Sequence, residues 1–148
     1  MIRCSRIIIY LLVLYSVLSC KNGEEVLIRG EISNLENPFI LVTWLSGDTL
    51  AIDTINVDVK GRFNYKNPID TLTTFSLYLN NYEGAAVVFA DKGQTLKVKG
   101  DALLPDLIEV NGNEINNDLT LFKMQNRELL TQRGQLLLNL SMESQVDT

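Results

Sequence analysis

The side chains that most often carry out enzymatic chemistry are scarce in this chain. It has no histidine, which removes the commonest general base and the commonest transition-metal ligand. Its two cysteines, Cys4 and Cys20, do not form a Cys-x-x-Cys pair, so the sequence offers no dithiol redox centre. A metal site would have to use carboxylates alone, which suits calcium or magnesium better than zinc. We therefore predict a protein that is not an enzyme and that holds no cofactor and no metal ion.

Three aspartates could supply the paired carboxylates of a glycoside hydrolase. Asp48, Asp53 and Asp58 lie five residues apart, and such an enzyme needs two acids that flank its substrate. An odd spacing, however, places successive side chains on alternate faces of a strand. No second motif accompanies these residues, so we interpret them as solvent-facing.

Crowded amide and carboxylate oxygens form a second candidate site at a predicted strand-to-helix junction. The residues are Asn111, Asn113, Glu114, Asn116, Asn117 and Asp118. Such oxygens could hold a hard cation, but their spacing is not that of a calcium-binding loop. The same residue types favour turns and helix N-caps, so the sequence predicts that Asn113, Asn116 or Asn117 caps a helix.

Aromatic residues could form a stacking surface for a sugar or a peptide. Trp44 lies in a run that is apolar on both faces, so we expect it to pack in the core. Tyr78 lies near the end of a predicted strand, and Tyr82 follows in the polar loop Asn80–Gly84. Tyr82 is the candidate contact residue, because loops often carry binding side chains. The alternative is a loop tyrosine folded over the edge of the sheet.

Cys20 has the clearest predicted role, because an export signal precedes it. Two arginines are followed by the apolar run Ile7–Leu18 and then by a small residue. As a helix, this run would rise about 18 Å, which is too short for a hydrocarbon core of about 30 Å. The sequence Val17-Leu18-Ser19-Cys20 resembles a bacterial lipobox, which implies that Cys20 is lipidated and becomes the mature N-terminus. The alternative is an ordinary secretory signal that leaves Cys20 as a free thiol.

Acidic residues dominate the chain that remains after cleavage. Loss of Arg3 and Arg6 reduces the 13 Lys and Arg to 11 against 18 Asp and Glu, a net charge of −7. This charge argues against nucleic acid or anionic lipid as a partner. In some Bacteroidota lipoproteins, an acidic cluster such as Glu24-Glu25 resembles a signal for transport to the cell surface, and a solvated spacer is the alternative. We therefore expect a lipid-anchored protein of the cell envelope, on the periplasmic or surface face of the outer membrane.

Beyond Val26, short runs of alternating apolar and polar residues are separated by Gly, Asn and Asp, which is the pattern of half-buried strands. The predicted strands are Val26–Ile32, Phe39–Leu45, Thr49–Val59, Arg62–Lys66, Thr73–Asn80, Ala85–Asp91, Thr95–Gly100 and Leu107–Gly112. Turns at Lys60–Gly61 and Asp91–Gln94 predict hairpins between the strands on either side of them. About eight strands without intervening helices predict a mainly β fold, an antiparallel β-sandwich or barrel-like domain.

The apolar spacing changes after Gly112, where one C-terminal amphipathic helix is predicted. Its apolar face consists of Ile115, Leu119, Phe122, Leu129, Leu136 and Leu140. Asn126 and Arg133 interrupt this face, and Gly134 weakens the helix by about 1 kcal/mol relative to alanine. The helix could pack on the sandwich, pair with another subunit, or begin a further domain. The predicted divisions are a signal peptide (1–19), the lipidated cysteine and tether (20–25), the β-sandwich-like domain (26–112) and the helix with its tail (113–148).

Four short motifs follow one another in a recognisable order: Ile28–Ile32, Val57–Phe63, Phe89–Leu96 and Val110–Gly112. They resemble an N-terminal domain of unknown function that precedes a thioredoxin-like domain in Bacteroidota lipoproteins of the thiol-disulfide oxidoreductase type. The resemblance covers Val26 to Leu140. In that family the redox chemistry belongs to the thioredoxin-like domain, and this chain ends before such a domain. The resemblance therefore implies fold and anchor, with no catalytic residue carried over.

Together these features predict a non-catalytic interaction or accessory module of the cell envelope. Its expected partners are the membrane, through the lipid on Cys20, and another envelope protein or a thioredoxin-like domain, without nucleic acid. One alternative is a truncated N-terminal part, or a partner, of a thiol-disulfide oxidoreductase. A second alternative is a module that binds a glycan or small ligand, which requires an exposed aromatic cluster that includes Tyr82.

Overall fold

The structure, a computed structural model, describes residues 25–80 and 84–146. Its elements are β1 (Glu25–Ser33), β2 (Phe39–Ser46), β3 (Thr49–Asn56), β4 (Arg62–Pro68), β5 (Thr73–Tyr78), β6 (Ala85–Ala90), β7 (Thr95–Asp101), β8 (Glu109–Asn111), α1 (Glu114–Gln125) and α2 (Arg127–Val146). A 3₁₀ turn at Pro105–Leu107 precedes β8. The predicted mainly β fold is confirmed, and two C-terminal helices stand where the sequence predicted one.

The strands form two four-stranded sheets that face each other as a sandwich. Sheet 1 has the order β4-β1-β7-β8, and sheet 2 has the order β3-β2-β5-β6. Both sheets are open in the described part of the chain, so the barrel alternative is not observed. The pairing is antiparallel except between β1 and β7, which run parallel from Leu27 opposite Thr95 to Ser33 opposite Asp101. A parallel pair needs a long connection, and here it consists of β2, β3, β5 and β6 of sheet 2 and β4 of sheet 1.

Two turns that the sequence assigned to hairpins instead carry the chain from one sheet to the other. The turn before Arg62 joins β3 of sheet 2 to β4 of sheet 1, and the turn before Thr95 joins β6 to β7. Both hairpin predictions are therefore wrong, although the first turn is tight, with the Gly61 N–H donating to the Asp58 carbonyl at 2.9 Å. A tight turn determines where the chain reverses its direction, but it does not determine which strands pair. β4 instead pairs with β1 along its whole length, from Arg62 to Pro68.

Alternate residues of both sheets fill one hydrophobic core. Ile28, Phe75 and Leu96 are completely buried there, and each such side chain stabilises the fold by about 1.5–3 kcal/mol. Trp44 packs on this core as predicted, with its ring centroid 5.6 Å from that of Phe75. Burial raises the pKa of Tyr65 to about 12, while its hydroxyl accepts a hydrogen bond from another residue of β4. The core thus occupies the space between the sheets.

Candidate functional site

Helix α1 lies along the open side of the sandwich, where β6 and β8 are the edge strands. Its buried residue is Asn116, whose side chain is bound to the edge of β6. The Asn116 Oδ1 accepts from the Phe89 N–H at 3.0 Å, and its Nδ2 donates to the Phe89 carbonyl at 2.6 Å. The Asn113 Nδ2 donates to the same carbonyl at 2.8 Å, so two amide side chains take the place of a neighbouring strand at this residue.

Thr120 binds the edge of β8 in the same way. Its hydroxyl accepts from the Val110 N–H at 2.9 Å and donates to the Val110 carbonyl at 2.7 Å. One turn later, the Lys123 Nζ donates to the Ile108 carbonyl at 2.8 Å, and burial lowers the pKa of this ammonium group. Unpaired edge strands invite association with other chains, so polar side chains of α1 protect both sheets.

The Asn-rich cluster serves as a helix cap, as the sequence predicted. The Asn113 Oδ1 accepts from the Asn116 N–H at 2.9 Å, which makes Asn113 the N-cap of α1. The Asn117 Oδ1 accepts from the Gly112 N–H at 3.2 Å. All three asparagine oxygens thus accept from the backbone, so the geometry does not favour the cation alternative. In the described part of the chain, no three acidic, His or Cys side chains converge.

Helix α1 therefore presents its polar side to the sandwich: Asn113, Asn116, Thr120 and Lys123 recur at intervals of three or four residues. Five of the six residues of the predicted apolar face are exposed, and Leu119 is half-buried. Ile115, Phe122, Leu129 and Leu136 are 44%, 57%, 65% and 61% exposed. They recur every seventh residue, two on α1 and two on α2, so each pair lies on one face of its helix. We call these four residues the apolar stripe.

Asn126 separates the two helices at a position where the sequence predicted only an interruption of the apolar face. Its Nδ2 donates back to the Phe122 carbonyl at 2.9 Å, a bond that competes with regular helix geometry. Backbone hydrogen bonds still run from the Asn126 N–H to Phe122 and from the Leu130 N–H to Asn126, each 3.1 Å long. Only one residue therefore lies between α1 and α2.

Helix α2 packs on the 3₁₀ turn and borders a cleft of about 650 Å³. The walls are mainly apolar and include Leu79, Ala85, Pro105, Leu130 and Leu137. Arg133 pairs with Asp106 here, which holds the helix to the turn. A Cβ at Gly134 would lie 3.0 Å from Leu104, so glycine allows a close approach at this point.

The three aspartates of the glycosidase alternative do not converge, and all are exposed. The Asp53 carboxylate accepts from the Thr54 N–H at 2.7 Å at the free edge of sheet 2. Asp58 accepts from the Lys60 and Arg62 N–H groups and pairs with the Arg62 guanidinium at 2.8 Å. Hydrogen bonds from the Arg62 backbone and guanidinium lower the pKa of Asp58 to about 2. These carboxylates shape turns and edges.

The aromatic candidates do not form a cluster among the described residues. Trp44 lies on the inner face of sheet 2, against Phe75. Tyr78 is paired with Leu41, which is outward-facing in β2, so it lies on the opposite face. Tyr82 and Cys20 lie outside the described residues. The sequence placed all four stripe residues on one apolar helix face but left open what that face meets, and it missed the binding of Asn116 and Thr120 to the sheet edges.

Residues 26–119 match the sequence profile of a family described as "Domain of unknown function (DUF4369)". The match includes all eight strands and the beginning of α1. The chain belongs to the DUF4369 family. The DUF4369 match contains Asn113 and Asn116, which bind the edge of sheet 2, but it ends before three of the four stripe residues. Most of the apolar stripe therefore lies beyond the matched segment.

Among solved structures, this DUF4369 chain is similar to a protein from Bacteroides ovatus described as a "putative cell adhesion protein". The two share 7% identity and have a TM-score of 0.39, over 63% of this chain and 44% of that chain. The chain thus spans less than half the length of that structure, and similarity at this level supports no functional conclusion. A comparison with curated proteins finds no match. Neither of the helices in the described segments has the length and apolar character needed to cross a membrane.

Proposed function

We propose that this DUF4369 protein is a non-catalytic interaction module held in the cell envelope by a lipid on Cys20. The observation that carries the proposal is the apolar stripe, which the fold leaves in solvent. Contiguous apolar surface on a folded protein often marks a contact site. The polar side of α1 is occupied by the edges of both sheets, so the apolar side faces outward. A partner that covers the stripe would remove this surface from water.

The anchor is supported by the apolar run that ends at Cys20 and by the absence of any later cysteine in the sequence. Two or more acyl chains on one cysteine hold a protein at a membrane durably. β1 begins at Glu25, and five residues of extended chain span at most about 18 Å. An acylated Cys20 would therefore keep the sandwich close to the bilayer of the outer membrane, on its periplasmic or surface face.

Mass spectrometry of the mature protein, purified from membranes, tests the anchor. We expect acyl mass on Cys20 and no residue before it. A Cys20→Ala variant should lose this mass and leave the membrane fraction. A variant that is still cleaved at the same bond and stays membrane-bound would overturn the anchor.

A photo-crosslinking amino acid at Leu129 of the full chain tests the interaction role in cells. Leu129 is the most exposed stripe residue, so we expect a crosslinked product there. Asn64, an exposed residue on the outer face of sheet 1, is the matched control and should give no product. The interaction role fails if Leu129, Phe122 and Leu136 all behave like Asn64.

A second candidate function is that of an N-terminal part, or a partner, of a thiol-disulfide oxidoreductase. The motifs that resemble such lipoproteins, among them Val57–Phe63 and Phe89–Leu96, favour it. The coding sequence that follows Thr148 separates the two candidates. An in-frame or frameshifted thioredoxin-like region with a Cys-x-x-Cys pair would favour the oxidoreductase, and its absence would favour the stand-alone module.

A further inference from the structure

We infer that the occupant of the apolar stripe is a second copy of this chain, with the helices of the two copies paired antiparallel about a two-fold axis. The inference rests on the proposed interaction function and names its partner. Each pair of stripe residues, Ile115 with Phe122 and Leu129 with Leu136, spans about 10 Å of its helix at roughly 1.5 Å per residue. Helices that pair carry apolar residues at two positions of a seven-residue repeat, and the stripe supplies one of these two positions. A helix is thus the shape of partner that this surface fits.

The even spacing of the stripe allows a second copy to pair with it, and the charges beside the stripe favour that copy over an unrelated helix. The stripe residues lie symmetrically about the point between Gln125 and Asn126: Phe122 and Leu129 near it, Ile115 and Leu136 further away. A two-fold axis at this point would place Ile115 opposite Leu136 of the other copy and Phe122 opposite Leu129. Each apolar side chain then meets another one, as a self-complementary two-fold interface requires.

The charges beside the stripe select the antiparallel direction. Asp118 and Arg133 lie at equal distances from the proposed axis, and both are exposed. In antiparallel pairing, Asp118 of one copy lies opposite Arg133 of the other, so unlike charges meet. In parallel pairing, Asp118 would lie opposite Asp118 and Arg133 opposite Arg133, so like charges would meet. Arg133 is 57% exposed although it pairs with Asp106, and a guanidinium has five donors. It can therefore accept a second carboxylate.

The junction of the helices also agrees with this arrangement. The axis passes beside Asn126, the single residue between α1 and α2, so the junctions of the two copies meet at the centre. Polar amides of Gln125 and Asn126 would face their counterparts there. Polar residues within a helix interface can fix register and orientation at some cost in stability. The interruption predicted from the sequence thus becomes the feature that aligns the two copies.

Paired cysteine variants of the full lipid-anchored chain test the arrangement in membranes. Co-expression of Ile115→Cys and Leu136→Cys chains, followed by mild oxidation, should give a disulfide dimer, while each variant expressed alone should give none. Asn64→Cys is the control on sheet 1 and should stay monomeric. Dimers formed by each stripe variant alone would show parallel pairing and overturn the inference.

Sedimentation of the purified chain in detergent supplies the second measurement. We expect a mass of two chains, and Leu129→Glu should raise the dissociation constant at least tenfold. A monomeric wild-type chain that still crosslinks through Leu129 to a different protein would overturn the second-copy inference and leave the interaction function standing. A monomeric chain without any crosslink at the stripe would overturn both.

Discussion

At the scale of single residues, Asn116 shows how one side chain can complete a sheet. It is fully buried, and it gives the Phe89 N–H and carbonyl the two partners that a neighbouring strand would otherwise supply. The sequence identified Asn116 only as one of several cap candidates. The cap proved to be Asn113, and the role of Asn116 depended on the edge of β6, which is distant in sequence.

Replacement of Asn116 by alanine should destabilise the protein by about 1–3 kcal/mol, because the Phe89 N–H loses its partner, while the Phe89 carbonyl keeps the bond from the Asn113 Nδ2 at 2.8 Å. The measurement is the urea-unfolding midpoint followed by circular dichroism. Asn117→Ala is the matched control in the same helical turn, since its side chain holds only the exposed Gly112 N–H. Equal losses in the two variants would contradict the role assigned to Asn116.

The pH dependence of stability should contain a contribution from Asp58. Its folded pKa of about 2 lies below the ordinary value of 3.8, so the ionised form is favoured by folding. The stabilisation is therefore complete above pH about 4 and is lost as the pH falls toward 2. The thermal midpoint of the wild-type protein should exceed that of Asp58→Asn at pH 5, and the difference should shrink by pH 2. A constant difference over this range would contradict the assignment.

At the scale of elements, glycines at the turns decide how tightly the strands connect. Gly61 has a φ of 76°, and a Cβ there would lie 1.9 Å from the Ile32 carbonyl oxygen. Gly47, in the hairpin between β2 and β3, has a φ of 61° but no atom within 4 Å of such a Cβ. The first glycine is needed both for its conformation and for a close backbone approach, and the second for conformation alone.

Gly61→Ala should therefore cost at least about 2 kcal/mol more than Gly47→Ala, which pays only about 1–2 kcal/mol for the left-handed conformation. The Ile32 carbonyl is part of the backbone of β1, so it cannot move aside without disturbing sheet 1. Urea unfolding of the two variants measures the difference. Similar midpoints would show that the backbone near Ile32 yields easily.

At the scale of the whole molecule, the fold separates two kinds of apolar surface. Residues such as Leu96 face between the sheets and are completely buried, while the apolar stripe lies exposed on α1 and α2, and α1 reaches the sandwich through polar contacts. The first set holds the sheets together. The second adds little to the folding of a single copy, because its side chains stay in water.

Leu129→Gln combined with Leu136→Gln should change the free energy of unfolding of a dilute sample by no more than about 0.5 kcal/mol per site. Leu96→Ala, by contrast, should cost about 2–5 kcal/mol, because it removes buried volume. Chemical unfolding at concentrations too low for association makes the comparison. A large loss in the stripe variant would mean that these leucines pack on the sandwich.

The sequence by itself determined the local elements of this protein. Alternation in runs such as Arg62–Lys66 predicts strands, and the helical spacing after Gly112 predicts helix, because both periods arise from backbone geometry within a few residues. The Asn113 cap follows from equally local chemistry. The general outline of a β-sandwich with a helical end could therefore be predicted from the residues alone.

Only the tertiary structure decided which strands pair and which side of α1 faces inward. β4 pairs with β1 and not with β3, its neighbour in the sequence. Hydrogen-bond ladders can join segments that are far apart in the chain, so the order of the strands along the sequence does not determine their pairing. The polar side of α1 faces inward, because it supplies hydrogen-bond partners to the backbone groups of Phe89 and Val110 at the sheet edges. The core between the sheets is already filled by the strands. The periodicity of a short segment cannot show where an unpaired sheet edge will lie. The sheet edges bind the polar side of α1, and the predicted apolar face is therefore left facing solvent.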